Sequence, residues 1–351
     1  MAKPRSLDEK RAHIDVCLTE DVACIRSAGF ENIRLEHTPL PEIDLAAVDT
    51  TTEVFGRRLS APLLISPMSG GIERGAELTQ ALARVAQNQK IALGVGSQRI
   101  ALEDPELAHG FKVRDVAPDI LLFANLGAVN LNKGLSADDA MRVVEMIEAD
   151  ALMLHLNPMQ EAIQGGDTCF ANLLSQIESV STRLAQHGTP VVAREVGFGI
   201  GAKAIEQLED AGVMGIDVGG SGGTSWAMVE GKVTEDPQRQ RAADVFRDWG
   251  QTTVESLEQA ASSETGLCVF ASGGLRSGLD LAKSVALGAQ LGGMATPFLK
   301  AYFEGGETAA LELAQQTIFE LRLAMFGSGT ATLAELPQRL VREARVSYLW
   351  P

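Results

Sequence analysis

Basic residues are scarce in this chain. Lysine and arginine number 30 against 46 aspartates and glutamates, for a formal net charge of -16. A phosphate-backbone partner needs a basic surface, so the balance argues against nucleic acid and against an anionic membrane face. A small anionic ligand stays possible only where cations, a metal or backbone N–H groups are gathered locally. Cysteine is also sparse. Cys17, Cys24, Cys169 and Cys268 show no C-x-x-C spacing, so neither a zinc site nor a disulfide framework is expected. Long apolar runs are missing; Ile120 to Phe123 is typical and far too short to span a bilayer. The start, MAKPRSLDEK, lacks the apolar region of a signal peptide. A soluble, cytoplasmic protein is the expectation. No G-x-x-x-x-G-K-[ST], G-x-S-x-G or H-E-x-x-H occurs, which removes the commonest P-loop, hydrolase and zinc-protease signals.

What is present is repetition. Eight short apolar runs alternate with amphipathic stretches: PLLISPMSG from Pro62, IALGVGSQR from Ile91, DILLFANLG from Asp119, DALMLHLNP from Asp150, TPVVAREVG from Thr189, VMGIDVGG from Val213, LCVFASGG from Leu267 and AQLGGMATP from Ala289. Runs that are apolar on both faces and stop at Gly, Pro, Asn or Ser read as parallel strands buried on both sides. The intervening patterns, such as SADDAMRVVEMIEA with its Ser136/Asp139 capping box, read as helices. Eight such units in about 250 residues predict a single (β/α)8 TIM barrel, an α/β fold. Residues 1–60 are read as an N-terminal extension closing over the barrel, helical over 7–28 and irregular over 30–60. Residues 61–351 form the barrel, with an irregular insertion at about 226–250.

The chemistry gathers where the strands end. In DALMLHLNP, Met153, His155 and Asn157 share the face opposite the leucines, so they point into the barrel, and Gln160 and Glu161 follow in the loop. Such a cluster at a barrel mouth has acid, base and metal-ligand capacity. Arg194 and Glu195 interrupt an apolar run; at least one must enter the interior, where a cation needs an anionic cofactor or a carboxylate. GGSGGTSW (219–226), ASGGLRSG (271–278) and GMATP (293–297) fit the phosphate-binding position of many barrels. One competing signal is Gly197-x-Gly199-x-x-Ala202 with Asp217 twenty residues beyond Gly197, which mimics a dinucleotide fingerprint.

The strings MSGG (68–71), GVGSQR (94–99), HLNPMQEAIQGGDT (155–168), REVGFGI (194–200), DVGGSGGTSWA (217–227) and ASGGLRSGLDLAK (271–283) resemble type 2 isopentenyl-diphosphate isomerase. The resemblance runs from about residue 10 to about residue 340. It implies an isomerase that uses FMN, Mg2+ and NAD(P)H-dependent flavin reduction to convert isopentenyl diphosphate to dimethylallyl diphosphate. The reduced flavin would act as an acid–base catalyst. Carried over by position, Pro67, Met68, Ser69, Ser97, Asn125 and Arg194 would line FMN, with Thr224, Gly273, Gly274, Ala295 and Thr296. Gln160 would meet the double bond, and Glu161 would hold Mg2+. His155, Asn157, Arg99, Lys10 and His13 would bind the substrate. Its partners would be the diphosphate and further copies of itself, as tetramer or octamer, with no nucleic acid or membrane. Two positions depart from the family pattern: Glu9 stands where an arginine is usual, and Arg194 replaces a lysine. The alternatives are an FMN-dependent oxidoreductase on another substrate, and a flavin-binding barrel without catalysis.

Overall fold

Each of the eight apolar runs contributes one strand to a closed parallel barrel in a computed structural model that describes residues 7–68 and 73–342. The strands are β1 (Leu63–Ile65), β2 (Ala92–Gly94), β3 (Leu122–Gly127), β4 (Ala151–Leu156), β5 (Val191–Glu195), β6 (Gly215–Asp217), β7 (Cys268–Ser272) and β8 (Leu291–Met294). They pair in chain order, and β8 closes on β1 through Gly292–Leu63 and Met294–Ile65. The predicted (β/α)8 barrel is the observed fold.

Two apolar cores result from the period-2 alternation of the strands. Outward side chains such as Leu152 and Leu154 pack against the surrounding helices. Inward side chains Leu64, Phe123, Met153, Val192, Phe270 and Leu291 fill the barrel. A hairpin of strands Thr52–Val54 and Arg57–Leu59 stops this inner core from one end. It inserts Val54 and Leu59, and the Phe55 ring lies edge-on to Phe123 and Phe270 at centroid distances of 6.4 and 6.1 Å.

Two residues further along the same strands, the inward positions become polar. Leu64 is followed by Ser66, Phe123 by Asn125, Met153 by His155, Val192 by Arg194 and Phe270 by Ser272. One step along each strand pair separates a dry layer from a polar one, and the polar layer lies at the C-terminal mouth where barrels bind ligands.

Two local expectations are corrected. The first helix covers Leu7–Thr19 and does not continue to residue 28. Beyond it the backbone is claimed by the loop after β6: Cys24 N–H donates to the Gly223 carbonyl at 2.8 Å and Ser225 N–H to the Val22 carbonyl at 2.7 Å. Long-range pairing here overrides local helical pattern. The stretch 226–250 is not irregular but carries two helices, Trp226–Val233 and Pro237–Val245. Asp236 before Pro237 was the start signal, since its side chain accepts Gln238 N–H at 2.9 Å and proline suits the first helical turn. The capping box predicted at Ser136 and Asp139 is formed. Among the described residues no helix is long and apolar enough to cross a membrane. Ser6, which the spacing to Glu9 marks as the start of a further capping box, lies outside the described residues.

The dinucleotide-like glycine loop has a local purpose. Gly197 and Phe198 donate their backbone N–H groups to Glu195 Oε2, at 2.7 and 2.5 Å. Burial pushes the Glu195 carboxyl up to about 8, against the opposing pull of those N–H groups. In the unfolded chain the group titrates near the ordinary 4.5. Between these values the native protein holds a proton that the unfolded chain has lost, so this group makes stability fall as pH rises. The expected slope approaches about 1.4 kcal/mol per pH unit. Glu195→Gln should flatten the decline; urea midpoints at pH 5, 6.5 and 8 measure it, and parallel slopes in both proteins would contradict the assignment.

Candidate active site

A cleft opens at the mouth, lined by the strand ends of the barrel and by His13, Ile14 and Cys17 of the first helix. One side is built from the glycine-rich strand ends. Gly273 and Gly274 have φ of 99° and 82°, a left-handed region that glycine adopts without strain. A Cβ on Gly273 would lie 2.0 Å from the Gly220 carbonyl oxygen. Thus the loops after β6 and β7 lie backbone against backbone, and their glycines are required by that contact. Thr224 and Thr296 share a hydroxyl–hydroxyl hydrogen bond of 2.6 Å across the same side. Ala295 caps the start of the helix Thr296–Gly327 without a side-chain hydrogen bond, and Ala295, Thr296 and Arg276 line the cleft there. A helix N-terminus with no side-chain cap, beside an arginine, suits a phosphate.

The floor is polar and buried. Arg194 enters the barrel from β5, pairs with Asp217 on β6, and reaches the cleft. Ser272 Oγ donates to the other oxygen of Asp217 at 2.5 Å. The cation that the sequence left open between a cofactor and a carboxylate pairs with the carboxylate and also lines the cleft. Burial pushes the Asp217 carboxyl up, while Arg194 and Ser272 hold it down; with a guanidinium and a hydroxyl both directed at it, the ionised pair is the state the geometry supports.

A second pocket adjoins the cleft and shares His13, Pro67, Met68, Arg194, Val196 and Trp226 with it. Lys10, Ser97, Asn125, His155 and Gln160 complete its wall. His155 Nδ1 lies 2.7 Å from Asn125 Oδ1; an amide oxygen only accepts, so Nδ1 carries the proton and Nε2 is the basic nitrogen. Gln160 is held at both ends. Its Oε1 accepts from Asn157 Nδ2 at 3.0 Å, and its Nε2 donates to Glu230 Oε1 at 2.6 Å. Reversing the amide would set oxygen against carboxylate, so the orientation is chemically determined. Glu230 Oε2 meets His13 Nε2 at 3.2 Å, and the His13 ring stands edge-on to Trp226 with centroids 5.5 Å apart. The helix Leu7–Thr19 thus lays Lys10, His13, Ile14 and Cys17 across the mouth at helical spacing.

Of the predicted positions, Pro67, Met68, Arg194, Thr224, Gly273, Gly274, Ala295 and Thr296 meet in the cleft, and Ser97 and Asn125 in the adjoining pocket. Three stand elsewhere. Asn157 is fully buried behind the wall, donating to Gln160 and also to Glu161 Oε1 at 2.9 Å. Glu161 is buried beside it and accepts Asp167 N–H at 2.7 Å. Arg99 turns to Glu103 one helical turn away, at 2.8 Å. Ser69 lies outside the described residues. Sequence reasoning missed Ser66, Asp217, Glu230, Ser272 and Arg276. Asp217 and Ser272 had a signal, polar residues at the ends of apolar strands; Glu230 had only its place inside the inserted helix.

Comparison with known proteins places this arrangement in a class. The FMN-dependent dehydrogenase family matches residues 11–106 and 163–343, so the barrel and its mouth are those of an FMN-dependent (β/α)8 protein. Solved structures similar in fold include a flavocytochrome b2 variant (TM-score 0.68, 19% identity, 95% of this chain and 82% of that one) and a mandelate oxidase variant (TM-score 0.63, 19% identity, 96% and 100%). Isopentenyl-diphosphate delta-isomerases are far closer in sequence. That of Nostoc sp. is 46% identical over 93% of both chains, and that of Stutzerimonas stutzeri 45% identical over 96% of this chain and 97% of the other. The chain belongs to the isopentenyl-diphosphate delta-isomerase family.

Proposed function

We propose that the protein converts isopentenyl diphosphate to dimethylallyl diphosphate with FMN in the cleft and the substrate in the adjoining pocket. The observation that carries this reading is the buried Asn157–Gln160–Glu230–His13 chain, standing where a phosphate-suited cleft opens into a second pocket. The residues fit FMN. Its phosphate would meet Thr224, Thr296, Arg276 and the start of the helix Thr296–Gly327, and its ring would lie over Arg194 against Pro67 and Met68. They also fit Mg2+. Asn157 Oδ1 is buried without a hydrogen-bond partner, on the same amide whose Nδ2 donates to Glu161 Oε1 at 2.9 Å. Among the described residues no group of three His, Cys, Asp or Glu side chains could hold a metal ion, so an Mg2+ held by one carboxylate would complete its shell with phosphate and water. Glu161 would hold that ion, offsetting the diphosphate charge in a chain of net charge -16.

Moving a double bond requires a proton added at the terminal carbon and another removed from the allylic carbon. When bound and reduced by NAD(P)H, FMN supplies a planar electron-rich surface able to exchange a proton. The protein's own part is to bind, orient and dry the site. Lys10, His13 and His155 line the pocket that would receive the diphosphate ester. Gln160, with its amide locked by Asn157 and Glu230, presents a fixed polar edge to the hydrocarbon. Trp226, Met68 and Val196 exclude water from a developing carbocation. Incubation with FMN, NADPH, Mg2+ and isopentenyl diphosphate tests the reading. Dimethylallyl product without stoichiometric NADPH loss is expected; stoichiometric NADPH consumption, or no product at all, would overturn it.

A further inference from the structure

Ser66 follows β1 at the inward position, and its side chain closes the polar floor beside Ser272 and Gly293. A Cβ built on Gly293 would lie 2.4 Å from Ser66 Oγ and 3.1 Å from Ser272 Cβ, so the two serines flank a residue that has no side chain. Ser66 is 1% exposed, yet its hydroxyl has no hydrogen-bond partner in the protein. It also lines the cleft. Its neighbour Ser272 is satisfied by Asp217, and below it Leu64 and Leu291 belong to the dry inner core. A buried hydroxyl without a partner costs stability, and native proteins keep few of them. Where such a group faces a ligand cleft, the missing partner is the ligand.

We infer that the Ser66 hydroxyl donates a hydrogen bond to an acceptor atom of the bound flavin ring, a carbonyl oxygen or a ring nitrogen. The assignment to the ring follows from position. Phosphate-suited groups cluster at Thr224, Arg276 and Thr296, whereas Ser66 belongs to the floor that Arg194 also reaches. The inference rests on FMN being the ligand of this cleft. It also sets a sign that a structural role would not produce. In the apoprotein, Ser66→Ala removes an unpaired buried polar group, so the variant should be no less stable than the parent. In the holoprotein, the same change leaves a flavin acceptor unpaired in a buried site, so affinity should fall about tenfold.

The experiment measures apoprotein melting temperature, FMN dissociation constant and the position of the visible flavin band, for the parent chain and for Ser66→Ala. The expected result is an unchanged or raised apoprotein melting temperature, about tenfold weaker FMN binding and a displaced flavin band. A lowered apoprotein melting temperature with unchanged affinity would show a structural hydroxyl and overturn the inference. So would unchanged affinity alone, which would leave water as the partner. Weaker binding with an unmoved band would place the contact away from the ring and overturn that assignment. If the parent chain itself fails to bind FMN, the reading of the cleft fails, and that outcome is separate from any effect of Ser66.

Discussion

Gln160→Ala should lower turnover by about a hundred- to ten-thousand-fold, the range for a positioned group acting at the reacting atoms, while FMN stays bound. Gln160 lines the second pocket, proposed for the substrate, but not the cleft proposed for FMN. The substitution removes the fixed polar edge proposed to meet the substrate. It also leaves Glu230 Oε1 without the Nε2–H that now satisfies it, inside a site where Glu230 is 1% exposed. Glu161→Ala should cause a comparable loss with the same retention of flavin, because its carboxylate is the group proposed to hold Mg2+. Product formation at saturating substrate, read beside the flavin absorbance of the purified variant, checks both. Near-normal turnover in either variant would remove that residue from the mechanism proposed here, and loss of the flavin would mean that the two pockets are not separable.

Asp217→Ala should destabilise the protein by about 3–5 kcal/mol, the cost typical of leaving one member of a buried ion pair alone. Arg194 would then face the barrel interior without its carboxylate, and Ser272 would lose the acceptor it now reaches at 2.5 Å. Asp217→Asn keeps one acceptor oxygen for Arg194, and its NH2 can donate to the Ser272 hydroxyl, so it should cost less. The double variant Arg194→Leu with Asp217→Leu separates stability from function. It removes both charges and should recover most of the lost stability, yet its FMN affinity should stay poor because the cation on the cleft floor has gone. Urea denaturation of the apoprotein measures the first effect and FMN titration the second. A double variant that binds FMN normally would exclude Arg194 from the flavin site.

These two sites show how far the sequence could be read. The eight strands were legible because each is a local apolar run ending at a turn residue, and the layered interior follows from alternation along each run. His155, inward beside an outward Leu154, was legible for the same reason. The glycine loop after β5 only mimics a dinucleotide signal: the N–H groups of Gly197 and Phe198 are taken by the Glu195 carboxylate, which local pattern does not reveal. The helix predicted over 7–28 ended at Thr19 because residues 22–28 pair with a loop that is distant in sequence.

Alone, the amino-acid order determined the barrel, the end of it that carries chemistry and most of the residues gathered there, since strand period and turn chemistry act over neighbouring residues. The partners of those residues were settled only by closure of the barrel. Arg194 meets Asp217 across 23 positions, Gln160 meets Glu230 across 70, and His13 meets Glu230 across 217. Hydrogen bonds between side chains so far apart leave no periodic trace in the chain. They exist because the barrel brings all eight strand ends to one rim, where buried polar groups must find one another or a ligand.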